Sequence, residues 1–288
     1  MDWITGMQNA INYIEEHITD ELDYTQIAKR SACSPFYFQR IFGILCGITL
    51  GEYIRNRRLT LAGSELSLTD TKVIDAAFKY GYDSPESFTR AFVKFHGITP
   101  SAAKKDGSKL KSFSRISVQI ILKGGSIMDY KIVKKEAFRV LEKVERQSID
   151  DAQSKNTVPD FWTHAHADGT VAALLEQAPD RGFLFGICYD NEPTDSKSFL
   201  YAIAALYSGG AVPEGCRVAE IPERTWAVFA CKGAMPNAMQ ETWHRICAEF
   251  FPTSGYQPTY EMTIEAYTAG DMSAPDYKSE IWVPVEKK

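Results

Sequence analysis

Apolar residues recur at helical spacing through the first hundred positions. In "PFYFQRIFGIL" Phe38, Ile41, Phe42 and Leu45 fall at i, i+3, i+4 and i+7, and in "PESFTRAFVKF" Phe88, Ala91, Phe92 and Phe95 repeat those offsets. This period predicts two helices, each with one face in a core. Ser34 and Ser84 stand at N-cap positions, and Pro35 and Pro85 follow at the first helical position, where a missing N–H costs nothing. Gly47 and Gly97 predict the stops. Another helical segment precedes each cap, "YTQIAKRSA" and "VIDAAFKYG", so the order helix, tight turn, helix occurs twice. The stretch "TLGEYIRNRRLTLAGSEL" between the copies predicts a helical connector, with Arg55, Arg57 and Arg58 available for phosphate.

The two copies are one unit written twice. At an offset of 50, residues 27–50 align with 77–100 at nine identities, among them Ser34/Ser84, Pro35/Pro85, Phe38/Phe88, Arg40/Arg90 and Phe42/Phe92. Self-similarity over that length marks a duplicated structural unit. The face turned away from the expected core carries Phe36, Gln39 and Arg40 in the first copy, and Glu86, Ser87, Thr89, Arg90 and Lys94 in the second. Arg and Gln are side chains that read guanine and adenine edges in the major groove. A solvated helix face is the plain alternative for either helix alone, but core pattern and arginine recur together.

After Pro100 the periodicity changes. "KKDGSKLKSFSR" is polar and basic and reads as a linker, and "ISVQIILKGG" reads as a strand. Beyond Met128, strand pairs alternate with helices, twice over: "YKIVKKEAFRVLEKVE", a helical stretch through "VPDFWTHAHADGTVAALLEQ", then "GFLFGICY" and "SFLYAIAALY"; next "CRVAEIPERTWAVFACKG", the helix "MPNAMQETWHRICAEFF", then "YEMTIEAYTAG" and "YKSEIWVPVE". This is a duplicated ββαββ module, an α+β domain. The expected boundaries are 1–106 for an all-α reader with two helix-turn-helix units, 107–127 for a linker with a strand, and 128–288 for the α+β domain.

Composition adds a division of charge. The 288-residue chain is longer than one compact core usually holds and has net charge −5, yet residues 1–112 sum to +1 and 113–288 to −6. The basic character lies in the first half, as a nucleic-acid reader requires. Six scattered cysteines without a CxxC pair suit reduced thiols rather than disulfides or a zinc site. No apolar run reaches membrane-spanning length and the N-terminus lacks a signal-peptide pattern, so a cytoplasmic protein without a membrane partner is expected. No nucleophile elbow, P-loop or GxGxxG is present, and His164 and His166 diverge on a helix, so no catalytic residue, metal site or cofactor is expected.

Trp162, Tyr201, Trp226, Trp243, Tyr267 and Trp282 all lie in the second half. Glu265 shares strand parity with Tyr267, so both side chains point to one face. A carboxylate among Trp and Tyr is suited to a cationic, lipophilic molecule. Glu261, four residues earlier, has the same parity and is a competing acid.

Residues 1–106 resemble the AraC/XylS family of transcriptional regulators, through "IAKRSACSPFYFQRIFGILCGITLGEYIRNRRL" and "VIDAAFKYGYDSPESFTRAFVKFHGITPSAA". The resemblance implies seven helices and two reading helices in successive major grooves. By motif position it assigns base reading to Pro35, Phe36, Gln39 and Arg40, and to Pro85, Glu86, Ser87, Thr89 and Arg90. Ala32 and Cys33 depart from the Gly and Tyr common in the first turn. Residues 128–286 resemble the GyrI-like effector-binding domain through "FFPTSGYQPTYEMTIEAY" and "PDYKSEIWVPV". That likeness implies Glu265 as the pocket acid, with Tyr267 beside it. The combined expectation is a multidomain, one-component transcription regulator that binds double-stranded promoter DNA, senses a small-molecule effector and works with RNA polymerase, as an activator. Two alternatives are a GyrI-like hydrolase using Glu265 and Tyr267, and a DNA-binding protein whose second domain mediates protein interaction.

Overall fold

The computed structural model describes residues 3–31, 33–118, 127–148, 157–178, 182–189, 198–259 and 261–288. The chain divides into two compact units, Met1–Ile121 and Leu122–Lys288. The described part of the first is helical: α1 (Trp3–Glu16), α2 (Tyr24–Lys29), α3 (Pro35–Cys46), α4 (Leu50–Leu68), α5 (Val73–Lys79), α6 (Pro85–His96) and α7 (Pro100–Ala103). The caps form as the sequence predicts. Ser34 Oγ accepts from Tyr37 N and Ser84 Oγ from Ser87 N, both at 3.1 Å. Gly47 and Gly97 end α3 and α6 at φ 69° and 83°, a left-handed conformation that favours glycine.

The connector α4 begins with a capping box: Thr49 Oγ1 accepts from Glu52 N, and the Glu52 carboxylate accepts from Thr49 N. Its first half packs with the first copy, where the Tyr53 and Phe42 rings lie 5.5 Å apart. Its second half supplies Leu59, Ala62 and Leu66 to the core of the second copy, with Ala76, Ala77, Tyr80, Phe88 and Phe92. One helix of 19 residues, about 28 Å at ~1.5 Å per residue, therefore sets the spacing of the two helix-turn-helix copies.

Residues 107–118 are tied to the helices. Phe113 N donates to Thr60 Oγ1 at 2.9 Å, Val118 N to Gln8 Oε1 at 2.8 Å and Lys111 N to His96 Nδ1 at 3.1 Å. Of the expected strand Ile116–Gly125, residues 116–118 carry no strand pairing, and 119–125 lie outside the described residues, as does Ala32.

The second unit contains β1 (Tyr130–Lys135), β2 (Phe138–Ser148), α8 (Val158–Ala167), α9 (Thr170–Glu176), β3 (Phe183–Tyr189), β4 (Ser198–Leu206), β5 (Arg217–Ile221), β6 (Arg224–Lys232), α10 (Asn237–Arg245), a π-helical turn (Ile246–Phe250), α11 (Phe251–Thr253), β7 (Tyr256–Pro258), β8 (Met262–Thr268) and β9 (Lys278–Lys287). All strand pairs are antiparallel, in the order β1-β6-β9-β8-β3-β4-β2-β5, with β7 on β9. Exchanging the two modules reverses this order onto itself, as a duplicated ββαββ unit requires. β1 and β2 do not pair with each other; each pairs with the opposite module, β1 with β6 and β2 with β5.

That exchange bends the sheet. Only residues 136–137 join β1 at one end of the sheet to β2 near the other, and residues 222–223 join β5 to β6 in the same way. Strand ends separated by two residues are three Cα steps apart, roughly 11 Å at most. The ends must therefore approach, and the enclosed face fills with Val140, Phe185, Ile187, Trp226, Val228, Ile264 and Trp282, packed by Phe138 and Phe183.

A pH dependence follows from His96, which is buried between α4 and the 107–118 segment. Its Nε2 donates to Leu59 O at 2.9 Å while Nδ1 accepts from Lys111 N, an arrangement that needs the neutral ring. Burial lowers its pKa below the ordinary histidine value. The unfolded chain then takes up the proton first, so this contribution is full above pH ~6.5 and is lost as the pH falls toward the lowered value. Amide exchange of the full chain should show α4 and α6 opening more readily at pH 5.5 than at 7.5, after correction for intrinsic rates. His96→Asn should flatten that difference, and an unchanged difference would refute the assignment.

Candidate functional site

The second reading helix presents an open polar face. Glu86, Arg90, Val93 and Lys94 of α6 are exposed, while Pro85, Ser87 and Thr89 are half-buried. Ser87 is also engaged locally, its Oγ donating to Ser84 O at 2.8 Å. The first reading helix departs from expectation. Phe36 and Gln39 are 9% and 8% exposed, and Arg40 is half-buried. Gln39 Nε2 donates to Pro35 O of its own helix at 3.1 Å.

The connector arginines also differ from expectation. Arg57 is only 12% exposed and forms a two-pronged pair with Glu15, Nε to Oε1 at 2.8 Å and Nη2 to Oε2 at 2.7 Å, while Nη1 donates to Phe113 O. Burial pushes the Glu15 carboxyl up, but hydrogen bonds from Arg57 and Tyr53 outweigh it and hold the group below the usual range. Arg58 donates to the Ile18 and Asp20 carbonyls. Both arginines hold α1, α4 and the loop after α1 together, leaving Arg55 as the exposed one of the three.

In the second unit the site is built on β8, which lies at the centre of the sheet between β3 and β9. Glu265 is opposite Gly186 on β3 and Ile281 on β9. Strand alternation sends Thr263, Glu265 and Tyr267 to one face, and Met262, Ile264 and Ala266 to the enclosed face. Glu265 Oε1 accepts from Trp243 Nε1 of α10 at 2.8 Å, and Oε2 accepts from the Tyr267 hydroxyl at 2.8 Å. Trp162 of α8 donates Nε1–H to the Tyr201 hydroxyl at 3.0 Å, and its ring meets Tyr267 edge-on with centroids 5.4 Å apart. Burial, then the nearby Glu265 and Tyr201, raise the Tyr267 phenol well above its ordinary value, so it remains a donor.

Five of the seven candidate residues thus meet: Trp162, Tyr201, Trp243, Glu265 and Tyr267. Trp226 and Trp282 do not. Trp282 neighbours Ile281, the partner of Glu265, and so points to the other face; Trp226 lies opposite Pro284, which has the same parity as Trp282. Their rings are 6.1 Å apart in the enclosed core, which the sheet's curvature requires large side chains to fill. The competing acid is also placed. Glu261 precedes β8 and is ion-paired with Arg224. His164 and His166 are exposed on α8, and no group of three metal-ligating side chains occurs among the described residues. No described helix is long and apolar enough to cross a membrane.

Comparison with known proteins gives two family matches. Residues 131–285 match the family described as integron-associated effector binding protein, and residues 27–106 match a helix-turn-helix domain family. The regulatory protein SoxS of Salmonella typhimurium is 43% identical over 95 residues, which are 33% of this chain and 89% of SoxS. The transcriptional activator AarP of Providencia stuartii is 43% identical over 89 residues, 31% of this chain and 66% of AarP. Among solved structures, SAV2435 bound to tetraphenylphosphonium is similar over 55% of this chain and 94% of its own, at 21% identity and a TM-score of 0.48.

Removing one partner of a buried ion pair strands the other. Arg57→Ala should therefore destabilise the helical unit by about 3–5 kcal/mol, whereas the exposed Arg90→Ala should change it by less than about 0.5 kcal/mol. Urea unfolding followed through the helical signal checks this, and equal effects would return Arg57 to the surface.

Proposed function

We propose, for a chain that belongs to the integron-associated effector-binding protein family and carries a SoxS-like helix-turn-helix reader, that Glu265 is the acid contacting the effector and that the effector is a cationic, aromatic-rich small molecule. The chain is a DNA-binding transcription regulator with an effector-binding domain. The observation carrying the proposal is the Glu265 carboxylate, set on the helix-covered face of the sheet among Trp162, Tyr201, Trp243 and Tyr267. Aromatic faces attract a cation through their quadrupole, and the carboxylate adds a full opposite charge. A neutral molecule gains only the first kind of contact, in weaker form.

For the reader, the proposed base contacts are Arg90 and Glu86 with Thr89 on α6, and Arg40 on α3. Pro35 and Pro85 start the helices, Ser87 is hydrogen-bonded to the Ser84 cap, and Phe36 and Gln39 are buried in the form described. We place the protein in the cytoplasm, on promoter DNA, where effector binding shifts it toward an activating state in contact with RNA polymerase. A ligand can shift such an equilibrium only by its differential affinity for the two states.

Two measurements test this. Full-length protein should bind its operator more tightly as salt is lowered, because phosphate contacts release counterions. Arg90→Ala should lose about 1–3 kcal/mol on the operator and much less on random DNA; equal losses on both would make Arg90 a phosphate contact only. Calorimetric titration with tetraphenylphosphonium, the cation bound by SAV2435, should show Glu265→Gln binding at least tenfold more weakly, the scale of a lost charged contact. Undiminished binding would remove Glu265 from the site, and consumption of a bound ester or amide by the wild type would favour the hydrolase alternative.

A further inference from the structure

Gly186 interrupts "FLFGICY", the otherwise bulky sequence of β3. Glycine within a strand weakens it and needs a reason. The backbone gives none, since Gly186 is absent from the glycines with positive φ. The reason is space. A Cβ at this position would lie 2.1 Å from the Tyr201 hydroxyl oxygen, 3.0 Å from Tyr201 Cζ and 3.4 Å from Tyr267 Cε2. The first distance is impossible, and the obstacle is the polar end of a hydrogen-bonded side chain.

Register explains the crowding. Tyr201 on β4 is opposite Cys188, and Tyr267 on β8 is opposite Leu184, so both tyrosines are diagonal neighbours of Gly186, from the two flanking strands and from opposite ends. Diagonal neighbours on one sheet face are within reach of aromatic side chains. The two rings lean over the bare Cα, and directly across the ladder from it is Glu265.

We propose that Gly186 is a positioning residue of the effector site: its missing side chain admits the Tyr201 hydroxyl to the one place where it can accept from Trp162 and stand beside the Tyr267–Glu265 pair. The inference rests on the reading of Glu265 as the effector-contacting acid. In this arrangement Gly186 acts through Tyr201. It determines that the floor next to the acid is a phenol hydroxyl held by the α8 indole, and so fixes both the height of α8 over the sheet and the depth to which a flat cation can descend toward the carboxylate. A methyl group there would have to push the hydroxyl away by more than 1 Å to restore ordinary contact, far enough to break the 3.0 Å bond to Trp162.

The test uses the full chain with nitrogen-15-labelled tryptophan. The five indole N–H signals are resolved, and that of Trp162 is identified by its loss in Trp162→Phe. Gly186→Ala should move the Trp162 signal in the direction Tyr201→Phe moves it, and should weaken tetraphenylphosphonium about tenfold, the effect of one displaced polar contact beside a charge. In the Tyr201→Phe background, where the 3.0 Å approach of the Tyr201 ring carbon and the ordinary 3.4 Å contact with Tyr267 Cε2 remain, adding Gly186→Ala should change the Trp162 signal little and the affinity by less than about twofold. Such non-additivity is expected only for groups in contact. If Gly186→Ala alone fails to fold while the double variant folds, the steric role of Tyr201 is supported directly; if both fail, the methyl meets something other than the hydroxyl and the proposal is overturned. Additive effects, or an unmoved Trp162 signal, overturn it as well. The underlying reading fails separately: Glu265→Gln with wild-type affinity removes the acid from the site even where Gly186→Ala moves the indole, whereas a weakened Glu265→Gln beside an unaffected Gly186→Ala rejects the glycine alone.

Discussion

A carboxylate surrounded by aromatic rings must find hydrogen-bond donors, because desolvating it without them costs several kcal/mol or drives it to protonate. Much of the effector-binding unit is arranged around that constraint at Glu265. One donor, Tyr267, comes from the same strand two residues on, and the other, Trp243, comes from α10. The position of α10 over the sheet is thereby tied to the acid by a directional bond as well as by apolar contact. Trp162 and Tyr201 extend the same chemistry to α8. Each module's helix thus reports on the site through an indole N–H. A cation entering here would compete for the carboxylate with the groups that hold the helices, which gives ligand binding a physical route to the rest of the unit.

The helical unit solves a similar problem with a charged partner. Glu15 is also half-buried, but its partner is a guanidinium, whose planar fork matches both carboxylate oxygens. Tyr53 adds a third bond to the same carboxylate, at 2.7 Å. Arg57 continues to Phe113 O, so one charged cluster fastens α1, α4 and the segment that leads out of the unit. Two half-buried acids in one chain therefore have different surroundings. Glu15 is closed by a strong fixed counter-charge and serves stability, while the Glu265 carboxylate accepts from an indole and a phenol.

The sequence pattern carried the elements themselves. Helix starts and stops, the duplicated ββαββ order and the connector were legible because caps, glycine stops and periodicity are local signals. What it could not carry was the use of long side chains across sequence distance. Arg57 and Arg58 read as phosphate contacts because nothing local shows that Glu15 and the Ile18 carbonyl stand 42 and 40 residues away. The aromatic residues divide for a similar reason. Strand parity placed Tyr267 with Glu265, but Trp226 and Trp282 could be assigned to a face only once the register with β8 was known. The partition of β1 and β2 between modules was also hidden, since adjacent strands joined by two residues ordinarily read as a hairpin. Gly186 left a visible mark, a glycine inside a bulky strand, yet only the two tyrosines from neighbouring strands give it meaning.

The repeat in the reader shows how far identity alone can be pressed. Ser34/Ser84 and Thr49/Thr99 all accept from backbone N–H groups at helix starts. Pro35/Pro85 open helices, Gly47/Gly97 close them in the left-handed region, and Phe38/Phe88 with Phe42/Phe92 are buried. These pairs would be held by folding alone, whatever the domain did. The rest of the two helices has diverged, α3 toward apolar residues and α6 toward charged ones. Arg40/Arg90 recurs as well, half-buried on α3 and exposed on α6. In the proposed reading the shared requirement is the double helix, which offers guanine edges to each reading helix in turn. The unequal faces around the two arginines then predict unequal half-sites, with α6 as the more polar, and hence more discriminating, reader.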